Sequence, residues 1–172
     1  MLADMQIIMR LTLSVILSGL IGLERQVHRR HAGLRTHILV CLGSCLIMLT
    51  SLYIFDIYEN RVPLDPARIA AGVITGIGFL GAGTIIRERE RVRGLTTAAS
   101  LWVVAGIGLA VGCGFYLAAV FTTILSLVVL FLLRYMESMV FFSEVNSHTL
   151  IDKKNDRRYN LRRPPKNYGG LP

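Results

Sequence analysis

The sequence predicts an all-α membrane protein, a bundle of about five transmembrane helices with the N-terminus outside and the C-terminus in the cytoplasm. Three observations carry this. Apolar residues make up 53% of the 172, with only 19 Lys+Arg and 11 Asp+Glu. Residues 69–86 and 94–133 carry no charge over 18 and 40 positions, and stretches of that length exceed what a soluble fold of this size uses. The remaining charges are sorted by sign and place, with basic residues concentrated in alternate loops.

The first span is expected at 5–23. Asp4 interrupts any basic leader and no small-x-small cleavage pattern follows, so it reads as a retained helix rather than a signal peptide. The second span falls at 38–55 and the third at 69–86. The 40-residue stretch is twice one crossing; Gly112-Cys113-Gly114 near its middle supplies a permissive turn, giving spans at 95–111 and 115–133. Arg25, Arg29, Arg30 and Arg35 then share one side with Arg87, Arg89, Arg91, Arg93 and the basic tail, while Arg10, Arg61 and Arg68 lie on the other. Basic residues resist translocation, so the first group faces the cytoplasm. Residues 1–134 form the membrane domain. Beyond them, 135–151 is mildly amphipathic and 152–172 polar and basic, predicting an interfacial helix and a mobile tail that rests on anionic lipid rather than on nucleic acid.

Chemistry-bearing residues are few. Cys41, Cys45 and Cys113 read as buried free thiols, and His28, His31, His37 and His148 form no constellation with carboxylates, so neither catalysis nor a cofactor is expected. Arg10 lies below the interface; Ser14, Ser18 and Arg25 share its helical face. Such a stripe turns inward toward the bundle or a cavity, or Arg10 snorkels to the outer surface. Glu24 beside Arg25 reads as half of a local ion pair. In the third span Gly72, Gly76, Gly78, Gly81 and Gly83 permit close helix packing or a broken helix lining a substrate site.

Two passages resemble each other. Gly19-Leu20-Ile21-Gly22 matches Gly78-Phe79-Leu80-Gly81, and Gly33-Leu34-Arg35-Thr36 matches Gly94-Leu95-Thr96-Thr97. Both would run in the same direction through the membrane, a parallel repeat. Its consequence would be two helix starts side by side, favouring an anionic group beside Arg35 and Arg93; alternatively Thr36, Thr96 and Thr97 only cap helices.

The blocks Gly19-Leu-Ile-Gly-Leu-Glu-Arg25, Ala32-Gly-Leu-Arg-Thr-His37, Asp65-Pro-Ala-Arg-Ile-Ala-Ala71, Gly76-Ile-Gly-Phe-Leu-Gly-Ala-Gly83 and Val92-Arg-Gly-Leu-Thr-Thr-Ala-Ala-Ser-Leu-Trp102 resemble, in order and spacing, the signature blocks of the bacterial MgtC/SapB family. The resemblance covers about residues 7–134. It implies a multi-pass inner-membrane regulator linked to magnesium limitation and, in one branch, to virulence and to action on the F-type ATP synthase. It places Arg10, Glu24, Arg25, Gly33, Arg35, Thr36, His37, Asp65, Arg68, Gly78, Gly81, Gly83, Arg93, Gly94, Thr96, Thr97 and Trp102 among motif or functional positions. The virulence branch carries an ACT-like C-terminal domain, which the basic tail here does not resemble, so the chain looks like a short SapB-type member. The expected partners are lipid, another membrane complex or a second copy of the chain. A transporter for a cation or small anion, lined by Arg10, Ser14, Gly78 and Gly81, is the alternative. Asp65 and Arg68 are expected to anchor the third helix by capping and pairing, with no specific magnesium site.

Overall fold

A computed structural model of the chain describes residues 3–58, 65–88, 91–132 and 135. The tail from 136 onward, with its expected interfacial helix, lies outside them. The chain divides into two units, residues 1–129 and 130–172. The architecture is the all-α membrane bundle that the sequence predicts. Helices α1 (Asp4–Val27), α2 (Leu34–Tyr58), α3 (Pro66–Gly83) and α4 (Leu95–Cys113) are each long and apolar enough to cross a bilayer, and a shorter apolar helix, α5 (Tyr116–Leu132), follows. Large side chains such as Phe79 and Leu117 are about four-fifths exposed, as expected where the surroundings are lipid.

Helix boundaries follow local chemistry. Asp65 accepts a hydrogen bond from the Ala67 N–H at 2.8 Å and Pro66 occupies the first turn of α3. This is the start signal that fixes the entry of an α-helix. No Asp65–Arg68 ion pair forms among the described residues; Arg68 instead donates its backbone N–H to the Asp65 carbonyl at 3.2 Å. At the other end, α3 stops at Gly83, three residues before the charge-free stretch ends. Residues Ile86–Glu88 (β1) and Arg91–Arg93 (β2) form an antiparallel hairpin instead, with Ile86 paired to Arg93. Hydropathy alone could not find this hairpin, because absence of charge marks solubility in lipid and says nothing about backbone geometry. Gly94 at φ 91 and Gly114 at φ 89 bound α4 in the left-handed region, the second as the reversal expected between the fourth and fifth spans.

The core is built on α4. A Cβ on Gly108 would stand 2.3 Å from the Cys41 carbonyl oxygen, and one on Gly112 would stand 2.7 Å from Met48 Cβ. These glycines therefore let α4 approach the backbone of α2 at Cys41 and Cys45, both fully buried free thiols; Cys113, expected to be buried with them, is exposed. The Gly-xxx-Gly face of α4 is thus an internal packing device. The two halves of the sequence repeat dock alike. Gly22 lies against Leu34 and His37 of α2, and Gly81 lies against Ala98 of α4, the position matching His37.

Gly108→Ala should lower the thermal stability of the purified protein by roughly 1–3 kcal/mol through overpacking, whereas Gly106→Ala, with open space around the added carbon, should leave it unchanged. Thermal unfolding of the two variants in detergent checks this.

Candidate functional site

The stripe on α1 faces inward along its whole length: Arg10, Ser14, Ser18 and Arg25 are all buried. Ser18 donates to the Ser14 carbonyl at 2.6 Å and Ser14 to that of Leu11 at 2.7 Å, so the hydroxyls are satisfied within their own helix. The two arginines must find partners elsewhere, and their situations differ.

Arg10 does not snorkel. Its Nη1 donates to the Gly112 carbonyl at 2.7 Å, its Nε donates to the Tyr116 hydroxyl at 3.0 Å, and its guanidinium lies 5.9 Å from the Tyr116 ring centroid. The Gly112 carbonyl belongs to the last turn of α4, where carbonyls lack helical partners and the helix dipole is negative. Arg10 is therefore held by charge-assisted hydrogen bonding at the end of α4 that favours a cation.

Arg25 sits fifteen positions further along α1 and meets the opposite end of α4. Only 4% of it is exposed. Its Nη2 is 3.5 Å from the Thr97 hydroxyl, its Nη1 is 3.8 Å from Glu24 Oε2, and its buried Nε has no hydrogen-bond partner among the described residues. Glu24 engages His28 more closely, with Oε1 2.9 Å from Nδ1, and its buried Oε2 has no hydrogen-bond partner among the described residues. The expected Glu24–Arg25 ion pair is thus present only as a long contact. Beside this cluster His37 is fully buried, with Nδ1 2.8 Å from the Gly33 carbonyl and Nε2 3.1 Å from the Ser100 hydroxyl. His37 thereby ties the α1–α2 connection to α4.

Arg25 of α1 and Arg29, Arg30 and His31 of the turn after it, together with Arg93 and the first turn of α4 through Thr97, line an open cleft of about 490 Å³. Among the described residues no carboxylate lines it, and Glu88 stands 3.8 Å from Arg93 Nε. The start of α4 has Gly94 as its N-cap and no side-chain capping bond, so neither Thr96 nor Thr97 acts as the cap that one reading of the sequence assigned them. Thr36 likewise does not cap α2; there Gln26 Oε1 accepts from the Leu34 N–H at 3.2 Å, and Gly33 packs on the Gln26 side chain. The anionic site drawn around two helix starts is therefore altered: α4 contributes its start, while Arg35 and Thr36 are exposed and outside the cleft. Arg29, Arg30 and Ser100 were not picked out from the sequence as site residues. Arg29 has φ 51, a left-handed turn after α1 that composition does not announce.

The other motif residues scatter. Gly78 and Gly83 have open space at the position of a Cβ, Gly81 packs on Ala98, and Trp102 is half-exposed. Arg10 and Ser14 lie toward the start of α1, remote along the helix axes from Gly78 and Gly81 near the end of α3. The four do not line one path.

The family model described as "MgtC family" matches residues 11–139. The chain belongs to the MgtC family. Among curated relatives of this family member, a protein of Escherichia coli strain K12 named "Putative magnesium transporter YhiD" is 47% identical over 127 residues, covering 73% of this chain and 59% of that protein. "Protein MgtC" of Salmonella typhimurium strain LT2 is 46% identical over 127 residues, covering 74% and 52% respectively. An "Uncharacterized protein" of Haemophilus influenzae is 40% identical over 123 residues, covering 69% and 52%. The MgtC-family chain thus aligns with only about half to three-fifths of the length of these relatives. No solved structure matches it.

Asp65→Ala should cost about 1 kcal/mol, the usual worth of an N-cap, and Asp65→Asn almost nothing. If Asp65 is only a cap, thermal unfolding with and without magnesium will show the same increment for all three proteins.

Proposed function

We propose that this chain is a bacterial inner-membrane regulatory protein, with the basic cleft facing the cytoplasm, that acts by docking on another membrane complex. The F-type ATP synthase is the candidate partner, and no catalytic chemistry is assigned to the chain. The observation that supports docking is the face of α3. Gly72, Gly76, Phe79 and Gly83 share one side of this helix by their spacing. None of the three glycines has a neighbour within 4 Å of a built Cβ, and Phe79 is 83% exposed between them. Small residues in lipid let a second helix come close, and packing there is driven by van der Waals contact rather than by hydrophobicity. Gly108 and Gly112 of α4 are used up inside the bundle, whereas Gly72, Gly76 and Gly83 of α3 are not.

Transport is the second reading, and the name of the Escherichia coli relative, "Putative magnesium transporter YhiD", favours it for magnesium. The charge of the cleft opposes it. A divalent cation held ~7 Å from a single guanidinium is repelled by roughly 5 kcal/mol at an effective dielectric of about 20, and among the described residues four arginines and no carboxylate line this cleft.

Affinity capture of the full chain from bacterial membranes should retrieve ATP synthase subunits, and Gly76→Leu with Phe79→Ala should lose them while keeping the bundle intact. Magnesium flux into liposomes carrying the purified protein, above that of empty liposomes, would instead support the transporter.

A further inference from the structure

We propose that the cleft at the start of α4 binds a phosphate oxyanion. The proposal goes beyond the docking reading and does not depend on it. Arg10 and Arg25 lie on one stripe of α1, roughly 22 Å apart at 1.5 Å per residue, and α4 runs alongside them. Arg10 meets the negative end of α4 and donates to its Gly112 carbonyl. Arg25 meets the positive end, where the macrodipole and the unpaired N–H groups of the first turn repel a cation. It does so while buried, with Nε lacking any hydrogen-bond partner among the described residues. Glu24 compensates only at 3.8 Å and is drawn toward His28.

An anion resolves every part of this conflict. It would accept from the Arg25 guanidinium where that side chain lines the cleft, from the Thr97 hydroxyl and from the uncapped N–H groups of the α4 start, and it would offset the Arg29 and Arg30 charges at the rim and that of Arg93, whose Nε stands 3.8 Å from the Glu88 carboxylate. Several donors converging from different directions suit a tetrahedral, multiply charged group, since each phosphate oxygen accepts more than one charge-assisted bond. A carboxylate, with two oxygens in one plane, would leave donors unused. The phosphate can come from a soluble ion or from an anionic phospholipid headgroup, because the cleft is open and the spans place it at the level of the bilayer surface.

The test uses the full chain, delipidated in neutral detergent. One arm titrates inorganic phosphate at matched ionic strength and reads thermal unfolding. The other measures phosphatidic acid against phosphatidylcholine retained on the protein by native mass spectrometry. Arg25→Gln, Thr97→Val and the rim double variant Arg29→Gln/Arg30→Gln are compared with Arg68→Gln, an exposed arginine outside the cleft. Stabilisation by phosphate, weakened roughly tenfold or more by Arg25→Gln as expected for a lost charge-assisted bond and unchanged by Arg68→Gln, supports the site with a soluble source. Selective retention of phosphatidic acid with the same variant pattern supports it with a lipid source. If Arg25→Gln does not fold, the Thr97 and rim variants carry the comparison. Absence of both effects, or equal losses in Arg68→Gln, overturns the proposal.

Discussion

The close approach of α4 to α2 is the constraint on which the rest of the bundle depends. It exists because Gly108 and Gly112 offer no side chain where the carbonyls of Cys41 and Cys45 pass. In lipid there is no water to expel from between apolar helices, so backbone proximity and polar contacts must supply what hydrophobic burial supplies in water. With α4 seated centrally against α2, α1 has one polar stripe to bury: Ser14 and Ser18 face Cys45 and Cys41 of α2, and the arginines at the two ends of the stripe reach α4. The two arginines on the stripe are then fixed against opposite ends of one helix. The geometry that satisfies Arg10 is the same geometry that leaves Arg25 short of partners.

This asymmetry places two unlike environments on a single helix face. Buried ionisable groups in a membrane are costly and persist where something pairs with them. Arg10 has its pairing inside the chain, through Gly112 and Tyr116, and reads as part of the scaffold. Arg25, Thr97 and the rim arginines are held in place by that scaffold but are not completed by it. His37 and Ser100 rigidify the same corner by linking α2 to α4. The sequence repeat adds a parallel: where the first copy places His37 against Gly22, the second places Ala98 against Gly81, so the polar corner belongs to one copy only.

Much of the fold was legible because charge-free length and loop charge report directly on what lipid tolerates. The spans, the turn at Gly114, the Asp65-Pro66 start of α3 and the existence of a polar stripe on α1 follow from residue type and spacing; that Arg10 turns inward rather than snorkelling does not. What was illegible is two-sided geometry. The α3–α4 hairpin depends on backbone pairing that apolar composition does not encode. Gly72 and Gly76 look the same in sequence as Gly108 and Gly112, yet the first pair faces outward and the second packs on α2, because packing depends on which neighbour arrives. Arg25, Arg93, Gly94, Thr96 and Thr97, all singled out by their motifs, line one cleft, whereas Arg35, which the repeat pairs with Arg93, is exposed outside it. The sequence shows that Arg25 and Arg35 are both near a helix end and cannot show which side chain points inward across to α4.

Arg10 and Arg25 are energetically unlike despite sharing one stripe. The most direct test of this difference is the unfolding stability of Arg10→Met and Arg25→Met in phosphate-free neutral detergent after delipidation. Methionine keeps much of the aliphatic stem and removes the charge. Loss of Arg10 discards a buried charge-assisted hydrogen bond and should destabilise the protein by roughly 1.5–3 kcal/mol. Loss of Arg25 removes an incompletely paired buried cation from the positive end of a helix and should leave stability unchanged or raise it. Equal destabilisation by the two substitutions would contradict the account, since Arg25 would then be as well satisfied by the chain as Arg10 is.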